Sequence, residues 1–451
     1  MMTSRKVLMV SPHFPPDSSA ASHRVRLLAP YLDEHGWEPT VVTVEPEDYE
    51  ARLDPELLAM VPESLNVVRV RAWSTAWTRY LGFGDLGLRA FSALLRKCRE
   101  LSRQVRYDCL FVTIFPSYPA LLGPLLKRNS GRNPGRNPGL PFVLDYQDPW
   151  VGAWGLSAGP KVDGTPDLKS RVSRWIATTL EPYAVRAADA ITAVSEDTYR
   201  EVQQRNTVAM ATTCAEIPLG GEPSDFEHLH ASTRKNPFFE KDDGAFHLSY
   251  VGTLLPKGFE TARAFLSALA RLKERDPDVY RKVRVHFFGT SNQSAGTVEP
   301  RVVKDAERLG VDDAVDERPL RIDYLDALTV LTQSNAILLM GSSERHYTAS
   351  KLYPALLARR PILAAYHEES SVVSILRRAA RPPWARLITY DDRRRAESRS
   401  EAIYQELRSL VTTPLTTVTD EAMLDLDVVE EFSARSMASR LADVFNVVSG
   451  A

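Results

Sequence analysis

Lysines beside glycines at strand ends, and carboxylates beside indoles, are the groups in this chain that could do chemistry. Val251-Gly-Thr-Leu-Leu-Pro-Lys-Gly258 runs from an apolar stretch into a loop with two glycines and a lysine. Glycine lets a backbone approach a ligand closely, and Lys257 could neutralise a diphosphate. A plain turn with a solvated lysine would carry the same residues, and both readings stay open. Ser350-Lys351 precedes the apolar run Leu352-Tyr-Pro-Ala-Leu-Leu357. Serine is a good N-cap, proline fits a first helical turn, and a helix N-terminus beside a lysine attracts anions. A capped structural helix would look alike. Glu344 and His346 lie just upstream, on the loop expected after a buried strand, where Glu344 could accept a bond from a sugar hydroxyl.

A second group follows a strand end in the first half. Asp145-Tyr-Gln-Asp-Pro-Trp150 sets Asp145 and Asp148 near Trp150 and Trp154. Indole faces pack on apolar sugar faces, carboxylates bind hydroxyls, and either aspartate could do acid/base work. An Asx-type turn with a packed tryptophan is the alternative. His13 follows the first apolar run, and Arg24 and Arg26 open the first helix. No second His or Cys clusters with His13, and Asp145-x-x-Asp148 is not a DxD motif, so no metal site is expected. GxxxxGK[ST] and GxGxxG are both missing, which removes the main support for P-loop and nicotinamide readings.

The elements that must position these groups alternate. Val7–Val10 is a short apolar run of the kind found in central parallel strands. It feeds a Pro-rich loop, Ser11-Pro-His-Phe-Pro-Pro16. His23–His35 has helical spacing and stops at Gly36. Thr40–Val44, Val67–Val70, Cys109–Thr113, Phe142–Leu144 and Ala190–Val194 read as further strands, and Val172–Ala187 as a helix. The second half repeats the rhythm, with strands at 247–251, 283–288, 335–340 and 361–365 and helices between them. The fold class is therefore α/β with parallel sheets and right-handed crossovers. Four segments are expected: 1–221, a polar linker at 222–244, 245–432, and an amphipathic final helix within 433–451.

Composition narrows the function classes. A chain of 451 residues is too long for one core. A net charge of −2 argues against bulk nucleic-acid binding. Three cysteines without CxxC fit a reducing compartment. The N-terminal apolar run ends at Pro12, too short for a signal peptide, and no 18-residue apolar run occurs, so a cytoplasmic location is expected. Segment 72–105 breaks the alternation. It carries Trp73, Trp77, Tyr80, Leu81 and Phe83, then the helix Leu88–Val105 with Arg89, Arg96, Lys97, Arg99 and Arg103. Such a mixture suits peripheral contact with the inner face of a membrane or with an amphipathic acceptor. A helical hairpin packed on the sheet with its basic face in water is the alternative.

In order and spacing the chain resembles GT-B glycosyltransferases of the family-four type, over almost its whole length. The residues that carry this are Phe14-Pro-Pro16, Ile114-Phe-Pro116, Val143-Leu-Asp-Tyr-Gln-Asp-Pro-Trp150, Ala188-Asp-Ala-Ile-Thr-Ala-Val-Ser-Glu196, Ile217-Pro-Leu-Gly-Gly221, Tyr250-Val-Gly-Thr253, Phe288-Gly289, and Ser350-Lys-Leu-Tyr353 through Arg360-Pro-Ile-Leu363. The resemblance implies two facing Rossmann-like domains, with the last helix returning to the N-terminal one. It implies retaining, metal-independent transfer from a nucleoside-diphosphate-sugar, with no further cofactor, to a glycan, lipid-linked glycan or small molecule. Gly252, Thr253, Lys257, Gly289, His346, Ser350 and Lys351 would bind the donor. Arg24, Asp145 and Trp150 would lie on the acceptor side, with Asp148, His13 and Glu344 as catalytic candidates. The family's two glutamates, with seven residues between them, are absent: with Pro361 aligned, their places fall at His346 and Pro354. A non-catalytic scaffold of the same fold, or another GT-B enzyme such as a sugar epimerase, is therefore the alternative.

Overall fold

The computed structural model describes residues 4–80, 84–130, 139–151, 168–254, 256–291, 298–342, 350–413 and 423–450. The expected site residues Glu344 and His346, Trp154, and Leu81 and Phe83 of the aromatic segment lie outside them. The chain forms two compact units, residues 1–219 with 434–451, and residues 220–433.

The first unit is built on a seven-stranded parallel sheet. Its strands are β1 (Arg5–Val10), β2 (Trp37–Val44), β3 (Asn66–Val70), β4 (Cys109–Ile114), β5 (Phe142–Tyr146), β6 (Ala190–Ala193) and β7 (Thr213–Glu216). Their order is β3-β2-β1-β4-β5-β6-β7. Every residue of β4 and β5 is buried, which is why they read as continuous apolar runs. The first helix differs from its expected form. It is α-helical only over His23–Leu28 and continues as a 3-10 helix over Ala29–His35. Pro30 has no N–H to donate back along an α-helix, and the tighter winding follows. Gly36 ends it at φ +78°, a conformation that suits glycine.

Helix Ala434–Ser449 belongs to this unit. It buries Met437, Leu441 and Phe445 against β1, β2 and β4. Phe445 meets Trp37 at 5.2 Å and Phe111 at 5.8 Å, both edge-on, and Trp37 Nε1 donates to Asn446 Oδ1 at 3.0 Å.

The second unit holds a six-stranded parallel sheet. Its strands are β8 (Phe246–Val251), β9 (Val283–Phe288), β10 (Val315–Arg318), β11 (Ala336–Met340), β12 (Ile362–His367) and β13 (Ala385–Tyr390), in the order β10-β9-β8-β11-β12-β13. Residues 222–244 are not a linker but part of this unit. Pro223–Ala231 is a helix, Asp225 accepts a bond from Tyr324 Oη at 2.7 Å, and Arg234 donates to Asp326 at 2.6 and 2.8 Å. Phe238 and Phe239 pack on Phe288 and His247. A few buried side chains thus anchor a segment whose average composition is polar.

Truncating Phe445→Ala removes both edge-on ring contacts and leaves a void. The expected loss is about 3–5 kcal/mol, read as a lower urea midpoint of the full chain. A loss below about 1 kcal/mol would show that the final helix does not hold the first unit together.

Candidate active site

In each sheet the winding direction reverses once, and the loops on either side of the reversal diverge. That divergence opens a crevice at the carboxyl ends of the strands, where ligands of α/β sheets bind. In the first unit the reversal lies between β1 and β4, and in the second between β8 and β11.

In the first unit the loop after β1 carries His13. Ser11 Oγ donates to the His13 carbonyl at 2.7 Å, and the Tyr49 hydroxyl donates to the Pro12 carbonyl at 3.1 Å. The His13 ring stacks on Tyr49 at 6.0 Å and meets Phe115, in the loop after β4, at 5.8 Å. His13 Nδ1 lies 2.5 Å from Asp17 Oδ2. Asp148 follows β5 on the same edge and is exposed to solvent, yet protein crowds it and partial dehydration pushes its carboxyl up to about 6.

Three expected acceptor-side residues are instead part of the interior. Arg24 and Asp145 form a fully buried pair, with Nη2 to Oδ1 at 2.6 Å and Nε to Oδ2 at 3.0 Å. Arg24 Nη1 donates to the carbonyls of Ile217 and Pro218, and Thr192 Oγ1 donates to Asp145 Oδ1. These bonds tie the first helix to β5, β6 and the segment after β7, and they leave the pair enclosed. Trp150 is 8 % exposed and packs edge-on against Tyr118, so its faces are core surface.

The second unit gathers positive charge at its reversal. Lys351 Nζ donates to Tyr250 Oη at 2.5 Å and to the Thr253 carbonyl at 3.1 Å, and it lies 4.4 Å from the centre of the Tyr250 ring. Tyr250 Oη in turn donates to the same carbonyl at 3.0 Å. Tyr250 is on β8 and Lys351 follows β11, so these bonds close the crevice floor. Burial of the ammonium pushes Lys351 down to about 7, and the guanidinium of Arg321 acts in the same direction.

Two glycines make this approach possible. Gly252 has φ +130°, and a Cβ there would sit 3.2 Å from Lys351 Cε and 3.3 Å from Nζ. Gly289, after β9, has φ +69°, and a Cβ there would lie 3.8 Å from Arg321 Cα and 3.9 Å from Gly252 Cα. The donor candidates Gly252, Thr253, Gly289 and Lys351 are therefore neighbours. Lys257 is exposed on the 3-10 turn Pro256–Gly258.

Ser350 does not act as expected. Helix Leu352–Leu357 has Lys351 at its N-cap position with no side-chain cap bond, and it is only six residues long. Arg359 at φ +50° and Pro361 stop it early, so its dipole is small. The charge at this end is that of the lysine. Tyr250 and Arg321 were missed from the sequence. Their one signal is position: Tyr250 lies in β8, which borders the reversal, and Arg321 lies just past the carboxyl end of the edge strand β10. Among the described residues no group of three His, Cys, Asp or Glu is placed to hold a metal ion.

The Arg24–Asp145 pair makes a prediction separate from catalysis. Asp145→Ala or Arg24→Met leaves one buried charge unpaired and costs about 3–5 kcal/mol, measured by urea unfolding. Unchanged stability with lost activity would instead return the pair to the acceptor side.

Residues 19–220 match the family described as "Glycosyl transferase 4-like domain". No curated protein matches the chain in sequence. Solved structures do match in fold. The N-terminal domain of Candida albicans trehalose-6-phosphate phosphatase aligns over 99% of this chain and 97% of its own, with TM-score 0.64 and 13% identity. Anabaena HepE in complex with UDP-glucose aligns over 98% and 99%, with TM-score 0.60 and 15% identity. A UDP-forming α,α-trehalose-phosphate synthase from Burkholderia vietnamiensis aligns over 98% and 100%, with TM-score 0.62 and 11% identity. Residues 19–220 thus carry a glycosyl transferase 4-like domain, and the chain has the GT-B fold of the glycosyltransferases.

Proposed function

We propose that this protein transfers a sugar from a nucleoside diphosphate, with UDP as the first nucleotide to test, to a hydroxyl of a glycan, lipid-linked glycan or small molecule. The observation that carries this reading is the cationic, glycine-lined floor formed by Gly252, Gly289, Lys351 and Arg321. Glycine backbone admits a diphosphate closely, and the cations stabilise charge as the sugar leaves. The complex of HepE with UDP-glucose, and the UDP-forming synthase among the structurally similar proteins, support the choice of nucleotide. Retention of anomeric configuration and the absence of a metal requirement remain part of the proposal, taken from the family resemblance. Asp148 is proposed as an acceptor-side group whose raised carboxyl can give or take a proton near neutral pH.

An anion beside Lys351 reverses its dehydration penalty. Above about pH 7 much of this amine is neutral when no anion lies beside it, so diphosphate binding draws a proton. Calorimetry in buffers of different ionisation enthalpy, at about pH 8, should show uptake approaching one proton per UDP. Lys351→Ala should abolish the uptake and weaken UDP by roughly 10–100-fold, the worth of one or two charge-assisted bonds. UDP binding without uptake, or unchanged in Lys351→Ala, would contradict this site. UDP-sugar binding without turnover under any acceptor would favour the scaffold alternative.

The first unit also carries a proposed membrane contact. Trp73, Trp77 and Tyr80 are 56%, 75% and 88% exposed, far more than rings of this size in a core. Helix Leu86–Gln104 follows, with Arg96 and Arg103 exposed. Arg89 does not join that basic face. It is buried, and it donates to the carbonyls of Trp73 and Asp48 at 2.9 Å, so it anchors the aromatic segment. No helix among the described residues is long and apolar enough to cross a membrane. Exposed rings followed by a helix with exposed cations suit an anionic lipid surface. Vesicles with half anionic lipid should co-sediment the protein at low salt, and Trp73→Ala with Trp77→Ala should weaken this about tenfold or more. No sedimentation of the unaltered chain would dismiss the contact.

A further inference from the structure

Asp17 is fully buried, and both its oxygens are engaged. Oδ2 lies 2.5 Å from His13 Nδ1 and accepts from Ser19 Oγ at 2.6 Å, while Oδ1 accepts from Ser19 N at 3.0 Å. Burial alone would push this carboxyl up, but the bonds from His13 and Ser19 outweigh it and hold it below the ordinary range. An ionised carboxylate can only accept, so the hydrogen of the short contact sits on Nδ1, and in the neutral imidazole Nε2 then keeps a lone pair. Further contacts tie this loop to its neighbours. Asp17 bridges to Leu53, Ser18 donates twice to the Arg52 carbonyl, and Arg69 donates to the Pro15 carbonyl at 2.7 Å. The ring lies between Tyr49 and Phe115 with 16% of its side chain exposed. Among the described residues Nε2 makes no hydrogen bond.

We propose that Asp17 is a positioning residue that acts through His13, holding Nδ1 so that Nε2 accepts a hydrogen bond from the attacking hydroxyl of the acceptor. Ser19 completes the brace by binding both oxygens of Asp17. The logic is that of a carboxylate fixing the tautomer and direction of an imidazole, here at the β1/β4 reversal. His13 then aims an oxygen lone pair of the acceptor by holding its proton. The inference rests on the glycosyl-transfer reading.

Hydrolysis of UDP-glucose, with water in the acceptor's place, provides the test on the full chain. His13→Gln and Asp17→Asn should each lower kcat at least about tenfold, with KM for UDP-glucose and affinity for UDP unchanged, and the double variant should be no slower than His13→Gln. Full activity in Asp17→Asn, or a double variant that loses the product of both effects, overturns the proposal. A second readout needs no turnover. Nitrogen-15 spectra of the unaltered protein at about pH 8 should show His13 protonated at Nδ1 only, and the Nε2–H tautomer would overturn the proposal even if the variants fail to fold. If the unaltered chain binds UDP but Asp17→Asn matches it in rate, the dyad alone fails. If the unaltered chain binds no UDP, the transfer reading fails and takes this inference with it.

Discussion

In a parallel sheet all strands end on the same edge, and a connection that reverses the winding leaves two loops with nothing between them. That constraint decides where each sheet of this protein opens to a ligand. It places the loops after β1 and β4 together in one unit, and those after β8 and β11 together in the other. Everything else supports these two openings. In the second unit Gly252 sits where a side chain would crowd Lys351, and in the first the buried Arg24–Asp145 pair joins the first helix to the sheet. The final helix, Ala434–Ser449, covers the first sheet away from its carboxyl edge through contacts with Trp37 and Phe111.

The two openings differ in charge, and the difference follows from residue choice. The second unit offers a lysine over a tyrosine ring, with an arginine near it. An ammonium in that position is disfavoured, since burial and Arg321 both oppose its charge. An anion would relieve both penalties at once, which is the physical basis for proposing a negatively charged ligand there. The first unit offers an imidazole braced by a buried carboxylate, which suits a neutral hydroxyl.

How much of this was legible from the sequence varies with burial. Central strands such as β4 and β11 are buried on both faces and announce themselves as apolar runs. The edge strands β7 and β13 were not read, because β7 is half-exposed and β13 mixes polar residues into its run. Pro30 lay in plain view, yet spacing alone does not tell α from 3-10 winding. Among candidate site residues, Gly252 and Lys351 were singled out because a glycine after a strand and a lysine opening a helix can admit and bind an anion; a plain turn and a capped helix carry the same residues, and only the fold shows the two to be neighbours. Arg24, Asp145 and Trp150 misled, since charged and aromatic residues at a strand end read as a site whether they face a ligand or each other. Arg24 and Asp145 are 121 residues apart, and only the fold joins them. Tyr250 and Arg321 needed the strand order before they could be recognised.

The central claim is that the β8/β11 reversal receives the diphosphate. Hydrogen–deuterium exchange of the full chain with and without UDP tests this most directly, because it reports location and not merely affinity. The account predicts slowed exchange in the loop after Val251 and around Lys351 to Leu357, with the interior of the first sheet unchanged. Protection confined to the first unit, or saturating UDP with no protection at either loop, would contradict it.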